Sequence, residues 1–147
     1  MTDLLLAATH HVFALGLFGL LAMEYAALNP PLLDLNRVLR LDALYGVSAL
    51  LMLSVGFARV IWGSKGAGFY LSNPWFWAKM CAFALTALIS LTPTFTFLSW
   101  RRARRKQTDF QPKPQSVRLQ RRLVAIELVV LLGVGGCAAA MARFGAF

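Results

Sequence analysis

Acidic residues are scarce in this chain: six Asp and Glu stand against fifteen Lys and Arg, which gives a formal net charge of +9. Such a charge is common in nucleic-acid-binding proteins. However, nine of the fifteen basic residues lie between Arg101 and Arg122, and the long apolar runs hold almost none. This distribution is typical of a loop beside a bilayer rather than of a basic groove. We therefore expect no nucleic-acid partner.

Cysteine is also rare. Cys81 and Cys137 both lie in apolar runs, which argues against the disulfide framework of a small secreted protein and against a cysteine metal site. No Ser–His–Asp set or phosphate-binding glycine loop indicates a soluble enzyme. What the chain has in excess is apolar surface: 59% of its 147 residues are hydrophobic and its mean hydropathy is +0.63. These values indicate a membrane protein.

Four segments are apolar and long enough to cross a bilayer, which takes about 20 residues. They are residues 4–28, 43–62, 74–98 and 123–142. Because lipid offers no partner to unpaired backbone groups, we expect all of them to be helical. The sequence thus predicts an all-α fold, a single integral membrane four-helix bundle over residues 1–147. The first span follows Asp3 rather than the basic residues of a secretory signal, so we expect it to be retained.

Basic residues predict the orientation of these spans. One side of the bundle holds Arg37, Arg40 and the nine basic residues of a predicted loop over 99–122. The other side holds three, which are Arg59, Lys65 and Arg143. By the positive-inside rule, this imbalance of eleven to three places the 99–122 loop in the cytoplasm and both termini outside. We expect that loop to contact anionic lipids of the bilayer.

Six ionisable residues lie within the predicted spans or at their ends, where a buried charge costs about 2.5–3.5 kcal/mol. They are His10, His11, Glu24, Asp42, Lys79 and Glu127. The predicted topology sorts them into an outer basic layer, which also includes Arg59, and an inner acidic layer near Arg37 and Arg40. His10, Leu17 and Glu24 are spaced by seven and share one helix face. We expect such faces to line the bundle interior.

Each layer has an alternative explanation. Lys79 would extend to the interface, its stem lying along lipid or aromatic rings. A histidine would be neutral and bonded to a neighbouring helix. The three carboxylates would be interfacial charges paired with Arg37 and Arg40. On the functional interpretation, Glu24, Asp42 and Glu127 instead form a proton path towards the cytoplasm.

The outer basic layer predicts a site for an anionic, partly apolar cofactor such as haem b or porphyrin. His10 or His11 would ligate the iron, while Arg59 and Lys79 would pair with the propionates. Four-helix bundles often hold such cofactors. Because the histidines are adjacent, one protomer cannot supply two of them from opposite faces. The histidine would ligate the iron alone, or together with a second ligand that is Met52, Met80, Lys79 or a histidine across a homodimer.

Two resemblances depend on these segments. The runs "DALYGVSALLMLSVGFARV", "KGAGFYLSNPWFWAKM", "LISLTPTFTFLSWRR" and "AAAMARFG", together with "THH" in the first span, resemble an uncharacterised family of bacterial four-helix inner-membrane proteins. That resemblance covers nearly the whole chain, and it implies a location in the bacterial inner membrane. It brings a topology and no established activity.

The chain also resembles the HemJ-type protoporphyrinogen oxidases and the CopD-like membrane proteins over two short segments. The HemJ-type enzymes have an essential histidine in the first helix and a lysine that opens a later one. The matching positions are His10 or His11, and Lys79 within "WAK". Their Arg and Asn-Glu-x-Pro pattern before the last helix has no counterpart in "RRLVAIELVV". This resemblance implies haem b and a membrane oxidoreductase. The alternatives are a small ion-coupled transporter and a non-catalytic subunit whose polar groups fix helix packing.

Overall fold

The regular structure of the described residues is helical. The computed structural model describes residues 2–29 and 33–144. Its helices are α1 Thr2–Ala27, α2 Leu35–Trp62, α3 Gly66–Leu71, α4 Pro74–Lys106 and α5 Pro114–Phe144, and no strand occurs in the described residues. The four long helices are each apolar and long enough to cross a membrane. The prediction of an all-α fold with four spans is therefore confirmed.

Side-chain caps fix where α2 and α4 begin. The Asp34 carboxylate accepts hydrogen bonds from the backbone N–H groups of Asn36 and Arg37, at 3.0 and 3.2 Å. The Asn73 side-chain oxygen accepts one from the backbone N–H of Trp75 at 2.9 Å, and a proline follows Asn73 as the first residue of α4. Both arrangements satisfy N–H groups that would otherwise lack partners at a helix start.

The long helices pack as a ring in chain order. Helix α1 contacts α2 and α5, α4 contacts α5 and α2, and the short α3 contacts α2 and α4. Buried apolar side chains fill the interior, among them Leu17, Val38, Phe97 and Val124. Large apolar side chains also cover the outside, where Leu15 is 75% exposed. An apolar exterior over spanning helices places the chain in contact with the lipid bilayer.

The bundle has two chemically distinct ends. The histidine end comprises the start of α1, the end of α2, α3, the start of α4 and the end of α5. The basic end comprises the end of α1, the start of α2, the end of α4 and the start of α5. Short connections between successive long helices produce this alternation.

Helices α4 and α5 extend well beyond the apolar spans, which corrects one expectation. The sequence predicts a loop over 99–122, but α4 continues to Lys106 and α5 begins at Pro114, so only 107–113 is non-helical. Arginine, lysine and glutamine are good helix formers, and a helix does not end where its hydrophobicity does. Helix α4 ends at a C-cap on Gln107, and α5 begins at a proline, which is favoured in the first turn of a helix. In the predicted Asn-Pro-Pro turn after α1, the prolines at 30 and 31 lie outside the described residues.

Candidate functional site

A cavity of about 70 Å³ lies inside the histidine end, and every helix contributes to its wall. Helix α1 supplies His10, α2 supplies Arg59, and α4 supplies Lys79. The rest of the wall is largely apolar and aromatic, including Met52, Gly56, Phe57, Tyr70, Phe76, Met80, Phe83, Val134 and Met141. The residues of the predicted basic layer that come from different helices therefore meet in one place.

The two histidines point in different directions. The His10 ring points into the bundle against α2, and a Cβ added at Gly56 would lie 3.5 Å from its Cε1 atom. Its Nδ1 atom is buried without a hydrogen-bond partner among the described residues. His11 is exposed, and its Nδ1 atom donates to the Ala7 carbonyl oxygen of its own helix at 2.6 Å. Of the two histidines, only His10 lines the cavity.

The cationic groups of the cavity lack a carboxylate counter-charge. Arg59 and Lys79 are half-buried, and both act electrostatically on His10. The Lys79 Nζ atom lies 5.2 Å from the centroid of the Phe76 ring, within cation–π range. Arg59 has a buried Nε atom without a partner. No acidic residue is among the described residues that line the cavity. The cavity therefore has two cationic side chains in its wall and no acid among the described residues that line it.

Arg143 lies at the same end but does not join this cavity. It is exposed, with its guanidinium 5.9 Å from the centroid of the neighbouring Phe144 ring. Sequence reasoning also missed Gly56 and Tyr70. Gly56 follows Met52 by four residues and precedes Arg59 by three, so the helical period could have placed all three on one face. Nothing in the sequence pattern brings Tyr70, on the short α3, into the wall.

A second polar cluster is buried nearer the basic end. Glu24 on α1, Asp42 on α2 and Glu127 on α5 are 2%, 9% and 1% exposed, and their charges interact. The Thr94 hydroxyl on α4 donates to Asp42 Oδ1 at 2.6 Å. Both carboxyl oxygens of Glu127 and one of Glu24 lack a partner among the described residues. Four helices therefore converge on this acidic cluster.

Pairing with arginine does not explain these carboxyl groups. Arg37 and Arg40 are exposed, whereas all three carboxyl groups are buried, and the hydrogen bond to Asp42 comes from Thr94. Within the described residues, no group of three or more His, Cys, Asp and Glu side chains is arranged to hold a metal ion. Among the residues that the structure describes, the cluster is therefore a set of buried acids without a cationic partner.

Comparison with known proteins matches the chain to one family. The family described as "Predicted membrane protein (DUF2214)" matches residues 2–145. No curated protein matches the chain, and no solved structure does. The match covers all of the residues that form the cavity and the acidic cluster.

Proposed function

This chain belongs to the DUF2214 family of predicted membrane proteins, and from that premise we propose that it binds an anionic, partly apolar ligand in the cavity at the histidine end. The observation that carries the proposal is the convergence of His10, Arg59 and Lys79 on one apolar cavity without a carboxylate among its lining residues. Burying cations without a counter-charge is unfavourable. A bound anion would offset that cost and would give the unpartnered Nε of Arg59 an acceptor.

Haem b or a porphyrin is the specific form of this ligand that we propose. His10 would ligate the iron, Met52 or Met80 would be the second ligand, and Arg59 and Lys79 would hold the propionates. A bound haem would supply one-electron redox chemistry, as expected of a membrane oxidoreductase resembling the HemJ-type enzymes. Since the cavity has a volume of about 70 Å³, a porphyrin requires its aromatic walls to move apart. A smaller ligand with a carboxylate does not require this movement.

Absorption spectra test the haem form. The protein is purified in detergent with and without added haem, beside the variants His10→Ala and His11→Ala. We expect a Soret band shifted from that of unbound haem in the wild type and in His11→Ala, and none in His10→Ala. An unshifted spectrum for all three proteins would overturn haem binding. Equal binding by all three would overturn the role of His10.

A pair of iron-free ligands tests whether the cavity binds anions. Protoporphyrin IX carries two carboxylates, and its dimethyl ester carries none, so the two differ in charge and little in shape. We expect Arg59→Gln and Lys79→Gln to weaken binding of the acid and to leave binding of the ester unchanged. Reduced thermal stability of these variants without any change in ligand binding would instead favour a subunit in which these side chains only fix helix packing.

The acidic cluster supports a second candidate function, a small ion-coupled transporter in which Glu24, Asp42 and Glu127 exchange protons. The supporting observation is that Glu127 is 1% exposed with neither carboxyl oxygen partnered within the described residues. Proton flux into liposomes tests it. We expect Glu127→Gln to abolish the flux and Asp109→Asn, an exposed acid between α4 and α5, to leave it unchanged. Wild-type liposomes without flux would exclude this candidate.

We propose a location in the bacterial inner membrane, with the basic end in the cytoplasm and the histidine end outside. The positive-inside rule supports this orientation, because most basic residues lie at the basic end. Reporter enzymes that are active on only one side of the membrane, fused after Phe147, test it. A reporter that is active only in the periplasm after fusion at Phe147 supports this orientation, and the converse result would reverse it.

A further inference from the structure

We propose that a groove at the basic end binds the phosphate headgroup of an anionic phospholipid. The groove has a volume of about 280 Å³ and lies between the start of α2 and the end of α4. Its wall consists of Leu35, Asn36, Arg101, Arg104 and Arg105. It is separate from the cavity at the histidine end, and its function does not depend on what that cavity holds.

Three arginines on one face of α4 supply the positive charge. Arg101, Arg104 and Arg105 are spaced by three and four residues, which places them side by side on a helix, while Arg102 projects elsewhere and does not line the groove. A guanidinium group matches phosphate oxygens in a two-pronged geometry and remains charged at any physiological pH. Several guanidinium groups facing one groove therefore select for phosphate over a neutral headgroup.

The opposite wall of the groove adds polar and apolar contacts without an acid. Asn36 is exposed and contributes an amide, and Leu35 is 5% exposed and forms an apolar floor. Asp34 is the nearest acidic residue in sequence, and its carboxylate already accepts the backbone N–H groups of Asn36 and Arg37. No carboxylate is among the described residues that line the groove. The start of α2 is thus capped by its own aspartate, so the arginines are the groups left to bind an anion.

The depth of the groove favours a lipid over a phosphate ion from solution. The apolar span of α4 ends near Leu98, and a rise of about 1.5 Å per residue places Arg101 to Arg105 about 4–11 Å further along the helix. The headgroup layer occupies about 5–8 Å on each side of the hydrocarbon core. Trp100 is 6% exposed and packs against the Phe97 ring, which fixes α4 just before the arginines. The groove therefore lies at the level of lipid phosphates.

Lipid binding by charge-matched variants tests this proposal. The protein in detergent is titrated with dioleoyl phosphatidylglycerol, and bound lipid is counted by native mass spectrometry. The groove variant carries Arg101→Gln, Arg104→Gln and Arg105→Gln. The control carries Arg102→Gln, Arg118→Gln and Arg122→Gln, which remove the same charge from exposed positions outside the groove. We expect the groove variant to lose about tenfold in affinity, equivalent to one charge-assisted interaction, and the control to keep wild-type affinity.

The other outcomes separate the competing explanations. Equal weakening in both variants would show attraction by diffuse positive charge and would overturn the site. Complete displacement of the lipid by millimolar inorganic phosphate would identify a free-phosphate site and would overturn the lipid assignment. Equal binding of phosphatidylcholine by the wild type would show that the negative charge of the lipid is not recognised. A set of Arg→Lys substitutions at the groove positions keeps the charge, and we expect it to bind with intermediate affinity because the two-pronged geometry is lost.

Discussion

The hydroxyl of Thr94 and the carboxylate of Asp42 join α4 to α2 through a 2.6 Å hydrogen bond inside the bundle. Asp42 is 9% exposed, and this hydroxyl is its hydrogen-bonding partner from another helix. Buried carboxyl oxygens are costly when they lack a donor. The bond therefore fixes how α2 and α4 align beside the acidic cluster.

Replacing Thr94 with valine removes this donor while nearly preserving side-chain shape. We expect Thr94→Val to destabilise the bundle by about 1–3 kcal/mol, because Asp42 is left buried with an unsatisfied oxygen. Thermal unfolding in detergent measures the change. Thr92→Val on the same helix is the matched control, since Thr92 is exposed. Equal melting temperatures for the two variants would contradict a structural role for the bond.

A substitution at Glu127 should have the opposite effect on stability from Thr94→Val. Its carboxyl oxygens are buried and unpartnered within the described residues, so Glu127→Gln removes a costly acid at almost constant volume. We expect the free energy of unfolding to stay the same or to rise by about 1 kcal/mol. Thermal unfolding beside Asp109→Asn, which changes an exposed acid, measures this. A clear loss of stability would mean that Glu127 has a stabilising partner in the folded protein.

Gly56 controls the space beside His10. A Cβ at this position would lie 3.5 Å from the His10 ring, which is an ordinary contact, so we expect Gly56→Ala to retain binding of protoporphyrin IX. Gly56→Leu should abolish it, because the larger side chain fills the cavity. Gly46→Leu on the same helix is the control, since a Cβ there meets nothing within 4 Å. Retained binding by Gly56→Leu would place the ligand elsewhere.

Asn73 sets the start of α4 and is 5% exposed. Losing its hydrogen bond to the backbone of Trp75 should cost about 0.5–2 kcal/mol in Asn73→Ala, while Asn73→Asp should retain most of the stability because aspartate also caps helices. Thermal unfolding distinguishes the two. Ser72→Ala, at an exposed neighbouring position, should have little effect. If both Asn73 variants are equally destabilised, loss of the cap does not explain the loss of stability.

The placement of the basic and acidic residues could be predicted from the sequence because depth in a membrane follows position along a spanning helix. Arg59, Lys79 and a histidine fall at one depth, and the structure brings them into one cavity. Adjacent residues share that depth, so the choice of His10 over His11 depended on the rotation of α1, which packing decides. Depth also could not pair Thr94 with Asp42, since that contact requires α2 and α4 to be neighbours.

The ends of the helices were harder to predict, for a different reason. Hydrophobicity marks where a chain meets lipid, whereas a helix ends where a proline, a glycine or a capping residue ends it. Helix α4 therefore continues to Lys106, well past its last apolar turn, and the six residues of α3 are too few to show a helical period of hydrophobic residues. The groove at the basic end exists only because of this continuation.

Helix α4 is longer than the hydrocarbon core of a bilayer is thick. Its 33 residues span about 50 Å, against about 30 Å for the hydrocarbon core of a bilayer. About 20 Å of continuous helix must therefore stand outside the hydrocarbon. Since the apolar part of α4 begins directly at Pro74, most of this excess lies at the arginine-bearing end. In a thicker membrane the same arginines would be drawn from the phosphate level towards the hydrocarbon, and in a thinner one they would stand further into water. Membrane thickness thus sets how closely this end of the protein meets the lipid surface.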